Sequence, residues 1–426
     1  MIVAPVPAPM LVAACAAAGA LRPESRRRPV PGPGEILLRL HRAGLCGTDL
    51  WKLRHGAAAA GSVLGHEVVG AVAELGAGVA GLQPGDRLFV PHHVACGRCD
   101  VCRAGSETMC PAFAANQLAP GGFSEYLLVR EAGVRAALLL PPELADEAAA
   151  FLEPAACVLR GFRRAGLGPL GAARGFGPGA KILGSGADGT AHYAAVSGIT
   201  HDDAASGITH DDDASGTTHD AAASGTTHDA GAAGPGGCAA ILGAGSMGLL
   251  HLLVGRALFP THRFVVSEPL APRRELALRL GADAAAAPGD PSRRAVEQLS
   301  GGQGARVVFD TAGGAAALAA ALALTRPGGT VVLFAHAAAG EHAGVDLNQL
   351  FKSERRLVAT YSSAAPEQTE VLQLLAAGRL DPSPLVSHRL PLSRCGEAVE
   401  LAASPQALKV LFHPDPASPA GRRGAP

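Results

Sequence analysis

The sequence predicts an α/β protein with two parts: a β-rich unit of short strands, and a second unit built on a doubly wound parallel sheet. Three observations carry that expectation. Residues 30–150 are dense in Gly and Pro and hold short β-branched runs. Strand-like and helix-like segments alternate between 239 and 361. A strand, a Gly-x-Gly-x-x-Gly turn and an apolar helix follow one another at 239–258. Short strands punctuated by turn residues read as β structure, and strand–helix alternation reads as a parallel sheet with helices on its faces. A length of 426 residues allows two or three domains. Only 4% of residues are aromatic, so the cores are expected to consist of small aliphatic side chains.

The elements follow in order. The apolar run 10–20 has no charged leader and runs into the Pro/Gly-rich stretch 29–34, so it reads as an N-terminal strand and not as an export signal. Further strands are expected at 36–40, 68–72, 87–90 and 124–129. From 151 to 167 the pattern turns helical, with Ala155, Val158, Leu159 and Phe162 on one face. Strands at 239–242, 263–267, 306–309, 330–334 and 357–361 alternate with helices at 249–258, 273–280, 291–298 and 315–324. The tail 366–412 reads as two helical segments around Leu390-Pro391-Leu392, and 414–426 as a disordered end.

One stretch breaks this order. Residues 197–232 repeat a nine-residue unit four times, with no Lys, Arg or aromatic residue. Such a tract cannot offset its ordering entropy by burial and reads as a disordered loop inside an insert spanning 172–236. A parallel β-helix would need a regular large aliphatic residue, and only Ile199 and Ile208 occur. His201, His210, His219 and His228 each precede Asp, which invites a metal-buffering reading. Low-complexity expansion is the plainer account.

The chemistry begins with Cys96, Cys99, Cys102 and Cys110, whose spacing lets four thiolates surround one Zn²⁺. A disulfide pair is disfavoured because nine cysteines without an export signal point to a reducing, cytoplasmic location. An iron–sulfur run of this type needs three residues before its last cysteine, and this chain has seven. A nucleic-acid-binding zinc ribbon needs a basic surface, and the net charge is −1. No apolar stretch reaches membrane-spanning length without Gly/Ala dilution.

A four-thiolate site leaves no place for substrate, so chemistry is sought elsewhere. Cys46, His66 and Glu153 could supply an open thiolate, imidazole and carboxylate set. Thr48 could hydrogen-bond a reacting hydroxyl and pass its proton outward, and Asp49 could orient His66. Glu67 could reach the metal in turn with water, but a buried ion pair is its expected resting role. His92 and His93 read as loop histidines, and Cys15, Cys157, Cys238 and Cys395 as small buried hydrophobes.

Two glycine fingerprints compete, at 184–189 and at Gly243, Gly245, Ser246, Met247 and Gly248. Only the second lies between a strand and a helix, where a pyrophosphate can sit on the helix N-terminus. Glu268, at the end of the next strand, can accept from a ribose diol and repel a 2′-phosphate, which favours NAD over NADP. Arg273 could flank the adenosine side or be a solvated helix-start charge.

Taken together, these residues resemble the zinc-dependent medium-chain alcohol dehydrogenases, in particular the sorbitol (iditol), threonine and related polyol dehydrogenase branch. The motifs that carry the likeness are Pro31-Gly-Pro-Gly-Glu35, Cys46-Gly-Thr-Asp49, Gly65-His-Glu67, Gly85-Asp-Arg87, the four-thiol lobe, Gly121-Gly-Phe-Ser-Glu-Tyr126, Glu153-Pro154 and the glycine turn. The resemblance implies a GroES-like catalytic domain formed by both chain ends, a Rossmann domain between them, and a homodimer or homotetramer. It implies two zinc ions per chain: a catalytic one on Cys46, His66 and Glu153, and a structural one in a lobe at 92–112. The expected domain limits are 1–154, 155–362 interrupted by the insert, and 363–426. The expected reaction moves a hydride from a secondary alcohol or polyol to NAD, the metal polarising the carbinol oxygen. Two departures stand out. Leu50-Trp51 occupies the place where some relatives carry a proton-relaying histidine, and the insert parts the helix after Glu153 from the first Rossmann strand. A threonine-type amino-alcohol oxidation and a non-catalytic zinc scaffold are the competing readings. Neither a nucleic acid nor a membrane is an expected partner.

Overall fold

The structure is a computed structural model and describes residues 8–16, 19–167 and 237–416. The insert 172–236, with its repeat, its histidines and the first glycine fingerprint, lies outside the described residues, as do 417–426.

The N-terminal part runs β1 (Pro9–Cys15), β2 (Leu21–Arg27), β3 (Ile36–Leu45), α1 (Gly47–Arg54), β4 (Glu67–Leu75), β5 (Arg87–Phe89), α2 (Asp100–Arg103), β6 (Leu118–Ala119), β7 (Tyr126–Val129), α3 (Glu131–Ala136), β8 (Leu138–Leu139), α4 (Asp146–Ala149) and α5 (Leu152–Arg164). The apolar N-terminal run is a strand, and β2 folds back on it antiparallel. The second part runs β9 (Cys238–Leu242), α6 (Ser246–Leu258), β10 (Arg263–Ser267), α7 (Ala271–Arg279), β11 (Ala284–Ala286), α8 (Asp290–Leu299), β12 (Ala305–Asp310), α9 (Ala315–Leu324), β13 (Thr325–Leu333), α10 (Leu347–Lys352), β14 (Arg356–Ala359), α11 (Ala365–Ala376), β15 (Val386–Pro391), α12 (Cys395–Ala402) and β16 (Lys409–His413).

The six-stranded sheet has the order β11-β10-β9-β12-β13-β14, and every pair in it is parallel. This is the doubly wound arrangement, in which the first and fourth strands lie side by side and ligands bind beyond their carboxyl ends. The strands β9, β12 and β13 are apolar on both faces because helices cover both. The second sheet has the order β15-β16-β3-β4-β5-β8, with β7 also paired to β3. It is mainly antiparallel, as its Gly/Pro-rich connections require.

The two helical segments expected in the tail appear as α11 and α12, on either side of 390–392, and the structure adds two strands that the sequence reading did not place. Residues 386–391 and 409–413 are strands, and β16 pairs with β3 across the whole length of the chain. The run 408–412 was too short and too apolar to declare its period, and strand pairing with β3 decided it. One hydrophobic cluster crosses between the two sheets. Phe151, Val158 and Phe162 of the α5 segment pack with Ile241, Phe309 and Val332, and also with Val69, Phe89 and Leu411. Each such fully buried side chain contributes about 1.5–3 kcal/mol. α5 therefore anchors both sheets while presenting Glu153 from its first turn.

Candidate metal centres and nucleotide cleft

Cys46, Glu67 and Lys409 meet because three neighbouring strands end together. β3 ends at Leu45, just before Cys46; β4 starts at Glu67, opposite Gly44; and β16 starts at Lys409. A Cβ on Gly44 would stand 1.7 Å from Glu67 Oε2, so only glycine lets the carboxylate lie there. Cys46 is also the residue that precedes α1. Asp49 accepts from the Cys46 N–H through Oδ2 at 3.1 Å, and its Oδ1 lies 3.5 Å from His66 Nδ1. With Nδ1 turned to Asp49, Nε2 is the ring nitrogen left for a metal.

The ligand atoms of Cys46, His66 and Glu67 lie within 4.8 Å of one another. Glu153 is not the third member of that trio. It is buried beside the trio, and the Cys157 thiol donates to its Oε1 at 3.3 Å. Glu67 is an ion-pair partner as well: Lys409 Nζ donates to both its oxygens at 2.7 Å. Glu67 is 0% exposed and the Lys409 side chain 3%.

The charges are strongly coupled. Burial opposes a charged ring, yet Asp49 and Cys46 hold His66 well above the usual histidine range. Burial raises the Glu153 carboxyl, His66 opposes that, and Glu67 adds to it. Burial also opposes the charge on Lys409, but Glu67, Cys46 and Glu153 keep its pKa above the ordinary value. A thiol, an imidazole and two buried carboxyls gathered in one place suit a divalent cation such as Zn²⁺.

Three residues sit differently from their sequence reading. His92 is no ordinary loop histidine: its ring centroid lies 4.8 Å from that of His66, and burial together with His66 pushes its pKa well below the usual range. The His93 ring lies tilted against that of His92 at 4.0 Å and against Phe113 at 5.0 Å. Phe113 is buried with Cys102 and Cys110 in the core of the thiol lobe. Cys157 is a hydrogen-bond donor to Glu153 and not a passive filler. Local patterning could not show the contacts of the two histidines. A lone Lys within the apolar run 408–412 was the one available signal for Lys409.

The four clustered thiols do converge. Their sulfurs lie within 4.8 Å of one another, with Cys99 Sγ 3.4 Å from Cys102 Sγ and 3.8 Å from Cys110 Sγ. The backbone N–H groups of Arg98 and Cys99 bring Cys96 down to about 6, which favours its thiolate. Arg160 ties the lobe to α5, donating to Glu107 and to the Gly105 carbonyl at 3.4 Å.

The glycine turn lies at the carboxyl end of β9, next to β12. A Cβ on Gly248 would stand 2.0 Å from the Gly243 carbonyl, so the turn closes only with glycine there. Gly245 precedes α6, which begins at Ser246 and carries Met247 in its first turn. Glu268 is buried and accepts from the Ala244 N–H at 2.7 Å, which fixes it beside the turn. Arg273 donates to the Pro405 and Ala407 carbonyls at 3.1 Å, and its Nη1 lies 3.9 Å from where a Cβ on Gly245 would stand. Trp51 of α1 stacks on His55 at 4.8 Å and on His336, just past β13, at 5.5 Å. Among the described residues no helix is long and apolar enough to cross a membrane.

Comparison with known proteins agrees with this architecture. Residues 32–139 match the alcohol dehydrogenase GroES-like domain, and 248–377 match the zinc-binding dehydrogenase family. The chain belongs to the zinc-dependent medium-chain alcohol dehydrogenase family, with a GroES-like domain and a Rossmann-like parallel sheet. It is 37% identical over 134 residues to an L-threonine 3-dehydrogenase of Xanthomonas euvesicatoria pv. vesicatoria, a match covering 30% of this chain and 38% of that relative's length. It is 26% identical over 422 residues to the sorbitol dehydrogenase of Gallus gallus, covering 94% of this chain and 95% of the relative. Among solved structures, an alcohol dehydrogenase from Thermus sp. ATN1 superposes with a TM-score of 0.71 at 27% identity, over 95% of this chain and 100% of that one. A zinc-binding dehydrogenase from Sinorhizobium meliloti 1021, solved bound to NADP, gives 0.71 at 25% identity, over 96% and 100%.

Proposed function

We propose that the chain is a zinc-dependent oxidoreductase that transfers a hydride from a secondary alcohol or polyol of the sorbitol/iditol type to NAD, giving the ketone. The observation that carries the reading is the convergence of Cys46, His66 and Glu67, with buried Glu153 beside them, in a chain that also carries a glycine turn at the switch point of a parallel sheet. When bound, zinc would act as a Lewis acid on the substrate oxygen. Cys46 and His66 would hold it, with carboxylate from Glu153 and, when released by Lys409, from Glu67. Asp49 fixes the orientation of the His66 ring, and Thr48, at the start of α1, is the nearest sequence candidate to take the hydroxyl proton. The turn at Gly243, Gly245, Ser246, Met247 and Gly248 would take the pyrophosphate on free N–H groups, and Glu268 the ribose diol, with Arg273 flanking the adenosine side. Cys96, Cys99, Cys102 and Cys110 would hold a second, structural zinc.

We also infer that 1–154 and 363–426 act as one catalytic unit around 155–362, which the pairing of β16 with β3 supports. Assembly as a homodimer or homotetramer is supported by Leu347 and Phe351 of α10, 75% and 80% exposed near the edge strand β14. A reducing, cytoplasmic setting suits the free thiols of both clusters. The local match to threonine dehydrogenases keeps amino-alcohol oxidation as a second reading. The deciding assay follows NADH and NADPH formation at about 340 nm on polyols, amino alcohols and simple alcohols, alongside zinc analysis. Turnover of polyols with NAD and two zinc ions per chain is expected. Turnover of threonine alone moves the assignment to the second reading, and one zinc without turnover leaves a scaffold.

A further inference from the structure

We propose that Cys157 is a positioning residue for Glu153, its thiol fixing one oxygen of that carboxylate. The Cys157 thiol donates to Glu153 Oε1 at 3.3 Å, and both residues stand on α5. Glu153 is 6% exposed, which leaves little water to take the place of the thiol.

Cys157 stands one helical turn after Glu153, the spacing at which two side chains on a helix touch. A thiol is a weak donor, and a hydrophobe of its size would fill the same space without fixing the carboxylate. With Oε1 held in this way, the lone pairs of Oε2 remain available to a cation, and the carboxylate is kept from rotating between them. Groups that fix a metal-binding carboxylate or imidazole from behind change metal affinity by about 10- to 100-fold when removed. The inference rests on the reading of Glu153 as a group serving the open site.

The test measures cobalt(II) affinity at the open site by chelator competition, with the visible ligand-field spectrum recorded for each protein and far-UV circular dichroism and thermal melting as fold controls. Cys157→Ala is expected to weaken binding by about 10-fold or more and to shift the ligand-field bands. Cys157→Ser, which keeps a donor, should stay within about threefold of the parent. An unchanged Cys157→Ala protein overturns the inference, as does a Cys157→Ser protein as impaired as Cys157→Ala, since that would mark a packing role. Glu153→Gln separates the two levels. If it weakens binding while Cys157→Ala does not, only the positioning role fails; if it leaves binding unchanged, the reading of Glu153 fails and the positioning role goes with it.

Discussion

The two thiolate-bearing centres are built in opposite ways. The four-thiol lobe takes all its ligands from 96–110, one loop and two short helical turns, and its sulfurs converge although Cys96 is exposed. The open centre draws on β3, β4, the first turn of α5 and β16, and is buried except at the half-buried Cys46. A closed site can be written as local spacing because four strong ligands hold one another in place once the metal arrives. An open site must keep a coordination position free, so the surrounding fold has to hold its ligands. The lobe should therefore control stability, and the assembled site activity.

The largest effects should come from swapping single ligands between the centres. Cys46→Ala is expected to lower kcat/KM by about 10³-fold or more while leaving the thermal melt nearly unchanged. Cys99→Ser should do the reverse, lowering Tm by about 5 °C or more with loss of one zinc, while residual folded protein keeps much of its turnover. If Cys99→Ser abolishes turnover without touching Tm, the division of roles is wrong.

Lys409→Met probes the assembled site at its charged base. Losing the ammonium leaves the Glu67 carboxylate buried and unpaired, and should destabilise by about 3–5 kcal/mol, read from the urea midpoint. Glu67→Gln added to Lys409→Met should recover most of that. A double variant as unstable as the single one would show that packing by the lysine stem, and not charge, is what matters.

A smaller effect lies away from both centres and sharpens any acid titration of them. His251 of α6 is 0% exposed, packed against Phe309 and Phe334, and its Nε2 has no hydrogen-bond partner. Burial lowers its pKa from an ordinary 6.5 to about 4, against the Met247 carbonyl, which raises it. The unfolded chain therefore binds the proton first. Stability is full above pH about 6.5, falls as the pH drops toward about 4, and loses about 3 kcal/mol over that window. His251→Leu should flatten that part of the curve in denaturant melts; an unchanged slope would place the acid sensitivity elsewhere.

How far the sequence could be read follows the same division. The glycine turn and Glu268 were legible because strand, turn, helix and acidic residue fall within about thirty residues, and local backbone geometry makes that order meaningful. β9, β10, β12 and α9 appeared near their expected places for the same reason. The strands β15 and β16 were missed, since β15 is a short, mostly polar run and β16 a short apolar one, and the identity of each depends on a partner strand. His92 looked bland because nothing within a few residues of it reveals His66 as its neighbour, whereas the Cys157–Glu153 pair, four apart on one helix, was open to local reading and was overlooked.

By itself, then, the sequence determined the class of fold, the closed thiol cluster and the nucleotide turn, all features whose parts are close in the chain and whose geometry follows from short-range sterics and spacing. Tertiary structure alone decided that Glu67 joins Cys46 and His66 and that Lys409 neutralises it from 342 residues away. The physical reason is that a buried charge is stable only beside its compensating partner, and which partner arrives is settled by the pairing of distant strands and helices.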